Sequence, residues 1–307
     1  LKNNLIAIGT RDSQLAKWQA LTVSNLLSAA GYENELLFIK SEGDLNLTQP
    51  LYEMGVQGVF TKSLDAALLD KRIDIAVHSY KDVPIKLADG LTIAAVLKRG
   101  NPFDVLITNE HWEASTLYLP YIIATSSIRR KAQWLNRYPN TIIENIRGNV
   151  NSRLEKLQHS NWHGAIFAAA GLERLNITRA YSYTLNWMLP APAQGAIVIV
   201  CRADDKAILK KCNALNCIDT ATCTNVEREF LRVLMGGCST PIGAYAHISN
   251  EQLFFTGNIL SEDGKQKLTI ELSEPVAASG NIGIRAAKEI LAKGGQAIVK
   301  QFRKEVA

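Results

Sequence analysis

Two short segments combine guanidinium groups with hydroxyls or amides where helices are expected to begin: Thr125-Ser126-Ser127-Ile128-Arg129-Arg130 and Ile146-Arg147-Gly148-Asn149-Val150-Asn151-Ser152-Arg153. Helix starts carry free backbone N–H groups, so both segments suit an anion. A cation in the first turn opposes the helix dipole at a cost of about a few tenths of a kcal/mol, which makes sense for Arg129 and Arg130 if they face a negative ligand. Gly148 lets backbone approach such a ligand closely. Arg11, in Gly9-Thr10-Arg11-Asp12-Ser13, and Arg174, in Ala170-Gly171-Leu172-Glu173-Arg174, also follow expected strand ends. Any one of these arginines taken alone reads first as a solvated surface charge. Together they are expected to approach one cleft and to suit a ligand with several carboxylates or phosphates, which guanidinium binds bidentately.

Lys81-Asp82 is an acid–base pair at another expected strand end. A carboxylate among cations stays ionised, able to hold developing positive charge or to pass protons; the plain alternative is a surface ion pair. Met235-Gly236-Gly237-Cys238-Ser239-Thr240-Pro241 puts a cysteine in a glycine-rich turn. Cys238 is therefore the candidate nucleophile or attachment point, whereas Cys201 and Cys212 lie in expected regular elements and read as buried structural thiols. A zinc site from Cys212, Cys217, Cys223 and Cys238 lacks the usual tight ligand pair, so no metal is expected.

The elements that must position these groups alternate between short β-branched runs and amphipathic stretches, the pattern of βαβ units around mainly parallel sheets. The fold class is α/β. Strands are expected at 5–10, 35–40, 73–79, 122–127, 141–147, 164–170 and 196–201. A helix over 13–30 is expected to use Leu15, Trp18, Leu21, Leu26 and Leu27 on or near one face, and helices are expected at 61–71, 128–138, 149–159 and 204–215. Residues 41–58 have few periodic signals, as a lid or binding loop would. The segment Leu189-Pro-Ala-Pro-Ala-Gln-Gly195 reads as a crossing between domains. Beyond it the pattern changes: Thr224-Asn-Val-Glu227 reads as a capping box opening a helix to Met235. Strands follow at 245–248, 252–260 and 265–272, then a helical stretch over 277–304 interrupted at Gly294-Gly295. This is expected to be a small α+β domain with an antiparallel sheet. No internal repeat is evident.

With 307 residues, 47% hydrophobic content and a net charge of +5, the chain is an ordinary globular protein rather than a disordered or fibrous one. No apolar run nears the ~18 residues of a membrane span. The first residues lack a signal-peptide pattern, and five cysteines with no CxxC pair read as reduced thiols in a cytosol. A nucleic-acid partner is not expected, because basic runs are absent and the arginines sit at strand ends. A monomer is expected for want of a large apolar stripe.

The chain resembles the hydroxymethylbilane synthase (porphobilinogen deaminase) family from about residue 5 to about residue 304. The resemblance rests on Thr10-Arg-Asp-Ser13, His78-Ser-Tyr-Lys-Asp-Val-Pro84, Thr125-Ser-Ser-Ile-Arg-Arg130, Arg147-Gly-Asn-Val150 with Arg153, Ala170-Gly-Leu-Glu-Arg174, Leu189-Pro-Ala-Pro-Ala-Gln-Gly195 and Gly236-Gly-Cys-Ser-Thr-Pro-Ile-Gly243, in family order. It implies two α/β lobes like those of periplasmic binding proteins, 1–98 with 196–217 and 99–195, and a cofactor-bearing α+β domain over 218–307. It also implies a dipyrromethane cofactor on Cys238 through a thioether, onto which four porphobilinogen units are condensed with loss of ammonia before hydrolysis frees linear hydroxymethylbilane. By the same resemblance Asp82 is catalytic and contacts the cofactor. Lys81, Thr125, Ser127, Arg129 and Arg130 hold cofactor carboxylates, and Arg11, Ser13, Phe60, Arg147, Arg153, Arg174 and Gln194 serve substrate or growing chain.

Some positions depart from the family. Its lid often carries basic residues where this chain has Glu53 and Gln57, Gly is usual at Ala193 and Met is common at Tyr80. The chief rival is a non-catalytic binding protein of the same two-lobe architecture, against which Cys238 argues.

Overall fold

The structure, a computed structural model, describes residues 5–40, 61–113, 121–234 and 240–303. In chain order its strands are β1 (Ile6–Thr10), β2 (Asn34–Phe38), β3 (Ile75–Ser79), β4 (Leu91–Val96), β5 (Asp104–Thr108), β6 (Ile122–Ala124) and β7 (Ile142–Glu144). They continue with β8 (Gly164–Ala168), β9 (Ser182–Thr184), β10 (Ile197–Arg202), β11 (Ile242–Ser249), β12 (Gln252–Leu260) and β13 (Lys267–Pro275). The chain forms two compact units, one holding described residues up to Gly100 and Gly195–Ala221, the other Asn101–Gln194 and the residues from Thr222 on.

In the first unit the sheet order is β2-β1-β3-β10-β4. β1 runs parallel to β2 and β3, and β10 runs antiparallel to β3 and β4. All six residues of β10 are buried, as a strand covered on both faces requires. One face packs Ile8, Ile75, Val77 and Ile199 on Val23 and Leu27 of the helix Gln14–Ala29. The other packs Ala76 and Val200 on Leu64 and Leu68 of the helix Lys62–Leu69. The expected apolar face of the first helix is corrected: Trp18, Leu21 and Leu26 are 37, 49 and 40% exposed, and the buried residues are Ala16, Gln19, Ala20, Val23 and Leu27. Small side chains let this helix lie close to the sheet, so the bulkiest ones are a misleading guide.

The second unit repeats the scheme with order β7-β6-β8-β5-β9, although no sequence repeat announces it. β6 is parallel to β7 and β8, and β5 is antiparallel to β8 and β9. Both sheets are thus mixed rather than mainly parallel. The strands that run against the rest, β5 and β10, are those that follow Asn101–Pro102 and the Leu189–Gln194 segment. Trp134 of the helix Ile128–Arg137 covers one face with Leu106, Ile123 and Ile166. Leu154 and Leu157 of the helix Val150–Gln158 cover the other with Phe167 and Ile107.

The third sheet is the antiparallel meander β11-β12-β13. Phe255 and Ile259 of its inner face pack with Phe230 of the helix Ile218–Val233 and with Ile282, Ala286, Ala287 and Ile290 of the helix Ile282–Ile290. The expected capping box is not a helix start. The helix begins at Ile218, and Thr224 and Glu227 lie inside it, both fully buried. The Glu227 carboxylate accepts from backbone outside the helix rather than from a first turn. The closing helical stretch is broken where expected, at Gly294, whose φ of 101° lies in the left-handed region that glycine tolerates. Among the described residues no helix is long and apolar enough to cross a membrane.

Candidate functional site

In the first unit, β1 and β3 are parallel neighbours, so the residues that follow them emerge at one edge. Arg11 and Ser13 follow β1; Lys81 and Asp82 lie in the 3-10 turn Tyr80–Asp82 that follows β3. Thr10 is buried and its hydroxyl donates to the Ala16 carbonyl at 3.1 Å. The Ser13 hydroxyl accepts from the Ala16 N–H at 3.3 Å and so caps the first helix. Arg11, Lys81 and Asp82 are half-buried. The antiparallel β10 begins at this same edge, with Ile197 opposite Ser79, and the Tyr80 N–H donates to the Ala196 carbonyl at 3.0 Å.

His78, on β3, is buried, and its Nε2 has no hydrogen-bond partner. Burial, and secondarily the Arg11 charge, press its pKa down to about 4, so the imidazole is neutral at physiological pH.

In the second unit the parallel trio β7-β6-β8 delivers the other group to one edge. Thr125 to Ser127 follow β6, Arg147 follows β7, and the helix Ala169–Arg174 follows β8. Ser126 clips two of these loops together: its hydroxyl donates to the Ile146 carbonyl at 2.7 Å and accepts from the Ile146 N–H at 3.0 Å. Thr125 Oγ1 accepts from the Ser127 N–H, and Ser127 caps the next helix by accepting from the Arg130 N–H. Asn149 caps the helix Val150–Gln158, and Arg153 Nε donates to the Gly148 carbonyl at 2.8 Å. Gly148 has φ +117°, and a side chain there would collide with Ser152.

Because β5 runs antiparallel, it begins where β8 ends, and Asp104 pairs in register with Ala168. This places a fully buried carboxylate against the arginines. Arg129 Nη2 donates to one Asp104 oxygen at 2.8 Å, and Arg130 donates to the other through Nε at 3.1 Å and Nη2 at 2.7 Å. Both arginines are thus buried on an anion of the protein itself, where the sequence had suggested only a ligand to face. Gln194 Nε2 adds a bond to Asp104 at 2.9 Å and another to the Pro102 carbonyl at 2.7 Å. Burial alone raises the Asp104 pKa, but Arg129, Arg130 and these hydrogen bonds outweigh it and hold the carboxyl well below the usual range. Two guanidiniums against one carboxylate leave an excess of positive charge. Burial also lowers the pKa of Arg147, and that of Arg174 to about 10.

Sequence reasoning misses Asp104 because it does not single out β5 as a strand; the Pro102 that shortly precedes this acidic first residue is the available signal. Phe60, Cys238 and the candidate lid at 41–60 lie outside the described residues.

The residues present suit a polyanionic group: Arg129 Nε is buried without a hydrogen-bond partner, beside hydroxyls and a helix start. Comparisons with known proteins bear on what that group is. The family described as porphobilinogen deaminase, dipyromethane cofactor binding domain, matches residues 6–210, and the porphobilinogen deaminase C-terminal domain matches residues 221–292. A curated porphobilinogen deaminase of Desulforamulus reducens is 38% identical over 302 residues, covering 97% of this chain and 98% of that protein. Among solved structures, the periplasmic VFT2 domain of Bordetella pertussis BvgS is 12% identical with a TM-score of 0.41, over 68% of this chain and 86% of that one. A probable amino-acid ABC transporter binding protein of Bacillus subtilis is 12% identical with a TM-score of 0.42, over 69% and 89%. With both family domains matched in order along it, the chain belongs to the porphobilinogen deaminase family.

Proposed function

We infer that the chain, a transferase with the dipyrromethane cofactor domain of its family, condenses four porphobilinogen units with loss of ammonia from each and releases linear hydroxymethylbilane by hydrolysis. The observation that carries this reading is the cationic edge of β6–β8, where Arg129, Arg130, Arg147 and Arg174 follow parallel strands. Each pyrrole brings an acetate and a propionate, and a growing chain needs many such cations.

The dipyrromethane cofactor, when bound, supplies the primer that the first unit joins. Cys238 is the proposed thioether attachment. Lys81, Thr125, Ser127, Arg129 and Arg130 are proposed to hold the cofactor's carboxylates, and Asp82 is proposed to contact the cofactor as well. Arg11, Ser13, Phe60, Arg147, Arg153, Arg174 and Gln194 are proposed to bind the incoming unit and the lengthening product. In this reading Asp82 stabilises positive charge on pyrrole nitrogen and moves the protons that deamination and coupling require.

The reading includes three domains, 1–98 with 196–217, 99–195 and 218–307, supported by a separate sheet in each. It also includes a cytoplasmic monomer without a nucleic-acid partner, the compartment being supported by an odd number of cysteines with no CxxC pair.

The test is the intact mass of the purified protein, alone and as Cys238→Ser. An excess of two porphobilinogen units less two ammonia, absent from the variant, is expected. An unmodified wild type that also fails to consume added porphobilinogen would sink the reading.

A further inference from the structure

Glu227 lies wholly buried within the helix Ile218–Val233, yet its two carboxylate oxygens serve distant backbone. One accepts from the Ala193 N–H at 2.6 Å, the other from the Ala246 N–H of β11 at 2.7 Å. Ala193 has φ +63°, in the left-handed region that disfavours a side chain. The carboxylate therefore grips the backbone at a strained residue, through charge-assisted hydrogen bonds of the strong kind.

The next residue is Gln194, whose amide reaches Asp104, which in turn holds Arg129 and Arg130. The other end of the segment is fixed as well. The Leu189 carbonyl accepts from Arg129 Nη1 at 2.6 Å and from Gln133 Nε2 at 2.9 Å, and the Ala244 N–H donates to the Pro190 carbonyl at 3.0 Å. Between Leu189 and Gln194, Ala193 is the residue that must stay left-handed.

We propose that Glu227 is a positioning residue: by holding Ala193 left-handed it fixes Gln194 against Asp104, and so sets the residue that serves the incoming unit. The inference rests on the functional reading above for what Gln194 binds. Glycine adopts the left-handed region without help, so it should make the grip dispensable.

The experiment compares wild type, Glu227→Gln and Glu227→Gln with Ala193→Gly. It reads KM and kcat for porphobilinogen per cofactor-loaded chain, beside the thermal midpoint. The amide oxygen replaces two acceptors with one, so KM is expected to rise about tenfold with kcat nearly unchanged, and Ala193→Gly is expected to restore KM. A lowered midpoint with unchanged KM, or a raised KM that glycine does not restore, overturns the proposal. Should Glu227→Gln not fold, Glu227→Asp, which keeps the charge but is one methylene shorter, is read against the same glycine rescue. A wild type that carries no cofactor and consumes no porphobilinogen overturns the functional reading itself, an outcome distinct from an active wild type with an indifferent variant.

Discussion

Arg130 closes on Asp104 with two nitrogens, Nε and Nη2, at 3.1 and 2.7 Å from the same carboxylate oxygen, where the two side chains are 7% and 0% exposed. Arg129 takes the other oxygen. The anion thus fixes the orientation of both guanidiniums and offsets their mutual repulsion.

Asp104→Asn removes the anion and leaves two buried cations facing each other. Breaking a buried ion pair from one side costs about 3–5 kcal/mol, which for a chain of this size lowers the thermal midpoint by roughly 5–8 °C. Thermal unfolding of the variant checks this; a midpoint within about 2 °C of wild type would show that the arginines do not need the carboxylate.

Much of this arrangement is legible in the sequence. Arg129, Arg130 and Arg147 can be placed at strand ends because the strands before them are short, apolar and followed by capping residues. Asp104 is not legible, since its partners come from an antiparallel strand order that local periodicity does not encode. Thr224 and Glu227 carry the spacing of a capping box, but burial against Ala193 and Ala246 decides what Glu227 does. Trp18, Leu21 and Leu26 mislead because helix-to-sheet distance, which favours Ala16 and Ala20, is a tertiary property.

His78 gives the protein an acid sensitivity. Its pKa is about 4 when folded against an ordinary 6.5, so the unfolded chain takes up a proton that the folded chain refuses between those values. The associated stability, about 3 kcal/mol, is present above pH 6.5, falls as the pH drops towards 4 and changes no further below it. Unfolding midpoints from about pH 7 to about pH 4 should fall more steeply for wild type than for His78→Gln. Parallel curves would refute the assignment.

Cys201 and Cys212 should resist alkylation. Burial pushes their thiols up to about 11 and about 12, and only the thiolate is a competent nucleophile. Native protein treated with iodoacetamide at about pH 8 and mapped by peptide mass should show Cys217 modified, since it is only half-buried, and Cys201 and Cys212 intact. Modification of all three at equal rates would mean that the core around β10 opens readily.

Asp82→Asn separates binding from chemistry. The amide keeps the size of the carboxylate in the turn after β3, so carboxylate binding by the arginines of the second unit is untouched. It cannot hold a positive charge or take a proton, and loss of a general acid–base group lowers kcat by about 10²–10⁴. The intact mass should therefore retain the cofactor increment while ammonia release nearly stops. Residual turnover above about a tenth of wild type would remove Asp82 from the chemistry, and loss of the mass increment would instead make it a residue of cofactor assembly.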